Sequence, residues 1–380
     1  MKGLVIGVGA AGNKGVMELV NSNVIGMEDA IFINSTSKDI PEDIPENRRI
    51  ILSPNDAGCG KERSIAKNYV LSAIQSGKLD IEKDAEDKDV VIIVSSMEGG
   101  TGSGSAPMLG KYCNQVLGKN VHIFGFAGFE DDVRGIQNTI EFFQELDDEF
   151  MVHTIRNSSF LVEAKNNHYR AEVMANKELV KRIELILGNN LINSSQNIDA
   201  TDIYKVVNTA GYMTEEKIEI NADMDVDDFN RICRQMISKS RSIKSKEPGQ
   251  IRLGVILNLS EANEDAIDHS FSVIKQAYGD PFECFVQKQF DGQQEYIAFI
   301  SSGMKLPLEE VKEIHKRYME RSEKVDKKTD NFFAEVSSLR GNAEDAKFNI
   351  GIGGKSSSVS KSDFMKQFET KPKVAPKGEK

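Results

Sequence analysis

Residues 90–104 read VVIIVSSMEGGTGSG, an apolar run followed by a stretch rich in glycine. The run Val90–Val94 predicts a strand that is buried on both faces, as in a parallel sheet. Glycines let the backbone take positive φ and approach a ligand without a Cβ in the way. Their N–H groups, and the start of a following helix, then face an anion. Residues 99–104 therefore predict a phosphate-binding loop, with hydroxyl donors from Thr101 and Ser103.

A second glycine-rich loop lies near the N-terminus, where GVGAAGN at residues 7–13 follows an apolar strand. Alone, it fits Gly-x-Gly-x-x-Gly, the dinucleotide-binding fingerprint. That fold calls for an acidic residue at the end of its second strand, whereas the predicted strand Ala30–Ile33 is followed by Asn34. The sequence also lacks the P-loop Gly-x-x-x-x-Gly-Lys-Ser/Thr. Two loops favour a nucleotide with a long phosphate chain held from both sides; a dinucleotide-dependent enzyme is the alternative.

Composition limits the class of protein. A length of 380 residues predicts two domains, and 39% hydrophobic residues can form full cores. The sequence has no apolar run of about 18 residues, so no membrane span is expected. The start predicts no signal peptide. Four scattered cysteines and five scattered histidines predict reduced thiols, a cytoplasmic location and no protein metal site.

Charge is distributed unevenly. A net charge of −11 argues against direct DNA binding by the body of the protein. After the flexible linker composition of Gly351–Ser358, residues 355–380 hold seven lysines against three acidic residues. The tail is therefore basic on an acidic protein, and it either contacts a partner or only aids solubility.

The first half of the chain alternates strands and helices. Strands are predicted at 3–6, 30–33, 49–52, 90–95, 121–126 and 158–163, with helices near 12–22, 62–76, 105–118 and 132–152. Such alternation predicts a doubly wound, Rossmann-like α/β domain that binds ligands at the carboxyl ends of its strands. Both glycine loops follow strands at such ends.

A long central helix is predicted at 171–188, and the second half of the chain after it no longer alternates strands and helices regularly. Gly188 and Asn189 form its stop signal, and a domain boundary is expected at about 189–198. The second half predicts helices near 200–210 and 225–240, and strands at 252–259, 282–288 and 295–301. This pattern indicates an α+β domain. A charged, helix-favouring stretch follows from Leu306 to about Leu339.

Residues 99–104, Gly-Gly-Thr-Gly-Ser-Gly, resemble the signature loop of the tubulin/FtsZ superfamily of GTPases, Gly-Gly-Gly-Thr-Gly-Thr-Gly. Here Glu98 replaces the first glycine and Ser103 the second threonine. The resemblance covers about residues 1–305, and the motifs come in the family's order. It implies a GTP-binding domain at 1–170, a central helix at 171–190, a second, GTPase-activating domain at 191–304, a C-terminal helix at 305–345 and a flexible basic tail at 346–380.

The resemblance also implies which residues hold GTP or GDP with Mg²⁺. Segments 7–13, 34–36, 57–61 and 126–134 resemble further nucleotide loops of the family. The resemblance assigns Glu130 to the ribose, Arg134 to the vicinity of the nucleotide, and Asn166 and Asn176 to guanine. The predicted contacts are Gly9, Ala10, Ala11, Asn13, Gly60, Lys61, Gly99, Gly100, Thr101, Gly102, Ser103, Gly104, Glu130, Arg134, Asn166 and Asn176. An intrahelical Glu130–Arg134 ion pair, and surface or capping roles for the two asparagines, are the simpler alternatives.

Residues 197–202, Asn-Ile-Asp-Ala-Thr-Asp, resemble the catalytic loop of the family, Asn-x-Asp-x-x-Asp. In that family the loop inserts into the nucleotide site of the next subunit of a filament, which implies catalytic roles for Asn197, Asp199 and Asp202. A carboxylate can orient the attacking water, and acids three apart at a helix start face one point. An N-cap with a first-turn acid is the simpler alternative.

The lysine-rich tail helps to distinguish between branches of the family. A division-ring protein of the FtsZ type carries a short C-terminal peptide that docks on membrane-tethered partners, whereas this chain has a lysine-rich tail after a long helix. That order is similar to the TubZ branch, borne by plasmids and phages, whose filaments segregate DNA. The resemblance implies a homopolymer that engages a DNA-bound adaptor through its tail, without direct membrane contact. A division-ring or phage-spindle filament is the alternative.

Overall fold

The computed structural model describes residues 1–188, 200–220, 226–247, 249–260, 267–289, 294–323 and 365. Its strands are β1 (Gly3–Val8), β2 (Ala30–Asn34), β3 (Arg49–Ile51), β4 (Val90–Ser96), β5 (Asn120–Ala127), β6 (Met151–Arg156), β7 (Gly211–Glu219), β8 (Arg252–Asn258), β9 (Glu283–Gln289) and β10 (Tyr296–Met304). Its α-helices are α1 (Gly9–Asn21), α2 (Arg63–Gln75), α3 (Glu82–Ala85), α4 (Gly100–Lys111), α5 (Val133–Glu145), α6 (His168–Leu187), α7 (Ala200–Val207), α8 (Val226–Ser238), α9 (Ile267–Tyr278) and α10 (Leu308–Glu323). No helix in these ranges is both long and apolar enough to cross a bilayer.

The first six strands form a parallel sheet in the order β3-β2-β1-β4-β5-β6. This is the strand order of a doubly wound domain, so the predicted fold class is confirmed. Successive side chains of β1 point to opposite faces. Leu4 and Ile6 join the core formed with α2, α4 and α5, and Val5 joins the core formed with α1 and α6.

The same sheet continues into the second half of the chain. Strand β7 pairs with β6 in parallel, but the register covers only Met151 with Gly211 and Val152 with Tyr212. Beyond this seam, β10 lies antiparallel between β7 and β8, and β9 pairs in parallel with β8. Helices α8 and α9 pack against each other, and residues of both lie in the separate core of this half.

Two sequence predictions around the sixth strand are wrong. The helix predicted at 132–152 ends at Glu145, because Leu146 is already extended, with φ −66° and ψ 146°. The apolar residues that follow form β6, and the segment predicted as a strand at 158–163 begins as a 3-10 turn over Asn157–Phe160. Strand β7 carries Thr214 and Glu215 among its apolar residues. Because these polar residues interrupt the apolar pattern, the sequence predicted no strand there.

The central helix is close to its prediction. It begins three residues early because the side chain of Asn167 accepts a hydrogen bond from the backbone N–H of Arg170, at 3.0 Å. It ends at the predicted place because Gly188 takes φ +70°. The predicted boundary at 189–198, the end of the charged helix and all of the tail except Met365 lie outside the described residues.

A buried polar network joins the two halves at the β6–β7 seam. His153 Nδ1 lies 2.5 Å from Glu215 Oε1, and His153 Nε2 lies 3.0 Å from His122 Nδ1. Arg182 of α6 lies 3.6 Å from the other oxygen of Glu215. All four side chains are at most 1% exposed. Burial, with the adjacent His153, holds the pKa of His122 well below its usual value. Burial raises the pKa of Glu215, but His153 and Arg182 bring it below its usual value.

We predict that the protein loses stability as the pH falls below about 6.5. Unfolded His122 takes up a proton near its ordinary pKa of 6.5, whereas the folded residue does not. The unfolded state then binds more protons, so the free energy of unfolding drops by up to about 1.4 kcal/mol for each pH unit. Glu215 acts in the same direction below its ordinary pKa of 4.5. Urea unfolding followed by circular dichroism between pH 7.5 and 5 measures the slope of the free energy of unfolding against pH.

The variant His122→Asn tests the assignment. Asparagine places a polar atom near the position of Nδ1 and does not titrate, so it should flatten the slope between pH 6.5 and 5. His168→Asn removes an exposed histidine and serves as the control. A slope in His122→Asn equal to that of the wild type would contradict the prediction.

Candidate functional site

The two glycine loops meet at the carboxyl ends of β1 and β4. Gly9 takes φ +75°, and a Cβ on it would lie 3.1 Å from the backbone nitrogen of Gly102. A Cβ on Gly102 would lie 3.0 Å from the carbonyl oxygen of Val8, and one on Gly12 would lie 2.1 Å from that of Val94. The positive φ of Gly9 and the 2.1 Å contact at Gly12 require glycine, so the two loops approach each other through their backbones.

Each loop is also the beginning of a helix. Helix α1 starts at Gly9 and α4 starts at Gly100, so the predicted start of the second helix at 105 is wrong. The cap residues Val8 and Gly99 supply no side-chain acceptor. The first-turn N–H groups of both helices therefore lie together at one edge of the sheet, an arrangement that favours an anion.

The end of β2 adds polar groups to this edge. Ser35 Oγ lies 2.9 Å from Thr101 Oγ1, and Asn34 Oδ1 accepts a hydrogen bond of 2.8 Å from the backbone N–H of Ser35. Asn34 Nδ2 and Asn13 Oδ1 are buried without a hydrogen-bond partner in the described structure. Buried polar atoms are normally satisfied, so these two atoms fit a site that a polar ligand completes.

Residues 57–62 form the third loop, which lies directly against α4. A Cβ on Gly100 would lie 2.8 Å from the Cα of Lys61. The ammonium of Lys61 lies 2.5 Å from Asp132 Oδ2, and Arg134 Nη2 donates to Glu62 Oε2 at 2.8 Å. Both cations expected near the nucleotide are thus paired with carboxylates. Partial burial raises the pKa of Asp132, but hydrogen bonds from Lys61 and from the Gly135 N–H, together with the charge of Lys61, bring it below its usual value.

The segment 126–134, which we term the ribose loop, turns sharply at Glu130, where φ is +62°. Glu130 Oε1 accepts hydrogen bonds from Arg156 Nη2 at 2.7 Å and from Ser158 Oγ at 3.3 Å. The simpler alternative, an intrahelical pair with Arg134, is wrong because Glu130 precedes α5 and Arg134 pairs elsewhere.

The two asparagines assigned to guanine occupy different settings. Asn166 lies exposed in a turn with φ +57°, and Asn176 is half-buried in α6. Helix capping belongs to the neighbouring Asn167, so Asn166 does not cap α6. Contact of either asparagine with a base stays a prediction, as does nucleotide contact by the other residues assigned from the motifs.

Two buried residues that sequence reasoning missed hold the loops together. Asn138 Nδ2 donates to the carbonyl oxygens of Lys61, at 3.1 Å, and of Glu98, at 2.9 Å. Arg63, with a side chain 2% exposed, donates to the carbonyl oxygen of Ser103 at 3.0 Å. Both residues lie outside the glycine motifs, and nothing in the sequence pattern marks them.

The candidate catalytic loop is described only in part. Asn197 and Asp199 lie outside the described residues. Asp202 lies in the first turn of α7, where its Oδ1 is 3.0 Å from Lys205 Nζ. A first-turn acid at a helix start accords with the simpler alternative, and a catalytic role for Asp202 stays a prediction.

Helix α7 lies at the amino ends of the parallel strands, opposite the glycine loops. Asn120, the first residue of β5, donates a hydrogen bond of 2.9 Å from Nδ2 to the hydroxyl of Tyr204. Asn208 Nδ2 lies 3.8 Å from Sδ of Met1, just before β1. The residues of β5 rise about 3.3 Å each, so this strand spans roughly 25 Å. Asp202 is therefore far from the glycine loops of its own subunit.

Comparison with known proteins finds a family match in the first half of the chain. The model of the tubulin/FtsZ family GTPase domain matches residues 2–163. This part of the chain is therefore similar to the GTPase domain of that family. The match, and the similarity to TubZ, confirm the resemblance that the motifs predicted. The tubulin-like protein TubZ of Clostridium botulinum C phage is 34% identical over 105 residues, 28% of each chain. Cell division protein FtsZ of Methanothermobacter thermautotrophicus is 25% identical over 215 residues, 54% of each chain.

The fold extends beyond these matches. The matches to the two curated relatives span about half of their length or less. The crystal structure of a GTPγS-form protofilament of Bacillus thuringiensis serovar israelensis TubZ gives a TM-score of 0.68 at 16% identity. It covers 90% of this chain and 95% of that one. Both halves of the sheet therefore follow the fold of that TubZ structure.

The site residues fit a nucleotide of the kind that a GTPase domain holds. The helix N-termini suit phosphates, and a Cβ on Gly99 would meet nothing within 4 Å, which leaves open space at the anion-binding edge. Among the residues described here, no group of three or more His, Cys, Asp or Glu side chains could hold a metal. Binding of Mg²⁺ at this site stays a prediction.

We predict that Gly99→Ala weakens nucleotide binding, whereas Gly12→Ala lowers the stability of the fold. The Gly99 backbone is extended and a Cβ there meets open space, so Gly99→Ala should unfold at the wild-type temperature while its affinity for a fluorescent GTP analogue falls at least tenfold. Gly12→Ala forces a Cβ against the Val94 carbonyl and should lower the unfolding temperature itself. Thermal unfolding and fluorescence titration separate the effects; wild-type affinity in Gly99→Ala would contradict the predicted cradle.

Proposed function

We propose that this chain is a polymerising GTPase, which binds GTP between its two glycine loops and completes hydrolysis when a second subunit adds head to tail. The observation that carries the proposal is the position of Asp202, at the edge of the sheet opposite the loops. The match to the GTPase domain of the family supports GTP as the nucleotide. The TubZ protofilament of the same fold supports assembly.

Phosphoryl transfer to water depends on positioning and charge stabilisation more than on covalent chemistry. In this proposal the first-turn N–H groups of α1 and α4 hold the phosphates, and Lys61 and Arg134 supply positive charge. A carboxylate must lie within hydrogen-bond reach of the attacking water to orient it. Asp202, at the opposite edge of the sheet, meets this condition only at the site of another subunit. We propose that Asp199 and Asn197, which lie outside the described residues, act with it.

The geometry of such a contact leads to a filament. The loop edge of one subunit meets the α7 edge of the next, so the two surfaces are different. A contact between unlike surfaces that does not close on itself produces an open polymer. GTP then stabilises filaments by completing the loop edge, and hydrolysis weakens the contact.

The cellular role that we propose is segregation of plasmid or phage DNA, with the filament linked to a DNA-bound adaptor through the basic tail. The lysines of residues 355–380 and the similarity to a phage TubZ support it. A second candidate is a division-ring filament, which the match to an FtsZ over 54% of the chain favours. A fluorescent fusion distinguishes them, because a ring at mid-cell contradicts segregation.

We predict that GTP turnover per subunit rises with protein concentration, because the water-orienting acids come from a neighbour. Asp202→Asn and Asp199→Asn should bind GTP as the wild type does, lower turnover at least tenfold and lengthen filament lifetime. Phosphate release and light scattering, with GTP and with GDP, measure these quantities.

Asp227→Asn is the control, since Asp227 is likewise a first-turn acid, on α8, and is exposed. It should leave turnover unchanged. Turnover per subunit that is constant over a hundredfold range of concentration would place hydrolysis within one subunit and overturn the proposal.

We also predict that deletion of residues 355–380 abolishes binding of the adaptor–DNA complex but not filament formation. Filaments should still form with GTP, because the proposed assembly surfaces lie in the two halves of the sheet. Co-sedimentation of filaments with the adaptor–DNA complex should be lost, because seven lysines are removed. Unchanged co-sedimentation would exclude the tail as the partner-binding segment.

A further inference from the structure

Glu98, directly before the signature loop, fills the space between that loop and the ribose loop. Its Oε1 accepts a hydrogen bond of 3.0 Å from the backbone N–H of Gly128. A Cβ on Gly128 would lie 1.9 Å from Glu98 Oε2, and one on Gly135 would lie 3.1 Å from the Glu98 side chain. The position that is glycine in the resembling motif therefore carries a side chain that bridges two loops.

The carboxyl group of Glu98 is partly buried, and two other carboxylates lie near it. Burial, and then Asp131 and Asp132 from the ribose loop, raise the pKa of Glu98 to about 7, while Lys61 from the third loop and the Gly128 N–H oppose the rise. Asp132 is itself paired with Lys61. The charge on Glu98 thus changes within the physiological range of pH.

We propose that Glu98 is a positioning residue of the nucleotide site, which joins the signature loop to the ribose loop and makes nucleotide affinity fall as the pH rises. The inference rests on the proposed binding of GTP. It concerns a residue that joins the two loops through its side chain and acts on the ligand by its charge, without direct contact.

The physical basis is repulsion between like charges. Glu98 adjoins Gly99, where the open edge of the anion site begins, so an ionised carboxylate lies near the bound phosphates. Like charges disfavour each other's ionisation, and bound nucleotide therefore favours protonated Glu98. By linkage, protonation of Glu98 favours nucleotide to the same extent. Affinity should drop about fivefold between pH 6 and pH 8, the order expected for charges several ångströms apart near a surface.

Two variants separate the charge of Glu98 from its hydrogen bond. Glu98→Gln keeps an oxygen that can accept from the Gly128 N–H and removes the charge, so it should bind a fluorescent GTP analogue at pH 8 about fivefold more tightly than the wild type. Glu98→Ala removes both and should bind more weakly at every pH. Glu149→Gln, at an exposed glutamate in the turn before β6, is the matched control.

The experiment is a fluorescence titration at pH 6, 7 and 8. The phosphates of the analogue titrate identically for all proteins, so their effect cancels in the ratio of wild-type to variant affinity. A ratio for Glu98→Gln that changes about fivefold supports the inference, and a constant ratio overturns it while GTP binding stands. A wild type without measurable binding at any pH overturns the proposed function instead. Should Glu98→Ala fail to fold, the comparison with Glu98→Gln still decides.

Discussion

The close backbone contact between the two glycine loops is the constraint on which the site depends. Helices α1 and α4 begin side by side because Gly9, Gly12 and Gly102 bring no side chain into the contact. The strand order explains why this contact falls at the functional edge. Strands β1 and β4 are neighbours at the point where the connections of the sheet reverse direction, and a doubly wound sheet opens a crevice there. The end of β2, the third loop and the ribose loop then surround the crevice.

Acidic residues shape this crevice as much as basic ones do. Lys61 is held by Asp132, Arg134 by Glu62, and Glu98 is inserted between the loops. In the proposed complex, phosphates compete for these cations with the carboxylates that already pair with them. Part of the attraction is offset in this way, which favours moderate affinity and exchange of the nucleotide. The ion pairs and the Glu98 hydrogen bond also connect three loops. A ligand that displaces one ion pair therefore affects the others.

The glycine loops, the parallel sheet and the central helix could be predicted because local sequence determines them. Gly9 and Gly188 occupy positive-φ positions, and Val90–Val94 is apolar throughout. Strands β6 and β7 were missed or misplaced because His153, Thr154 and Glu215 break their apolar pattern. The sites of Asn138 and Arg63 could not be predicted, since their partners lie 40 to 77 positions away in the chain. Such contacts arise from the folded sheet and leave no periodic trace.

The seam between β6 and β7 has a mechanical consequence. A ten-stranded sheet is stiff where long ladders of backbone hydrogen bonds cross it, and this one has a ladder of only two residue pairs at its middle. Buried side chains cross the seam at the same place, where His153 and Arg182 both lie close to Glu215. Torsion of one half of the protein against the other therefore concentrates at this joint. The charge of Glu215 helps to hold Arg182 there, so acid strong enough to protonate Glu215 would weaken the joint.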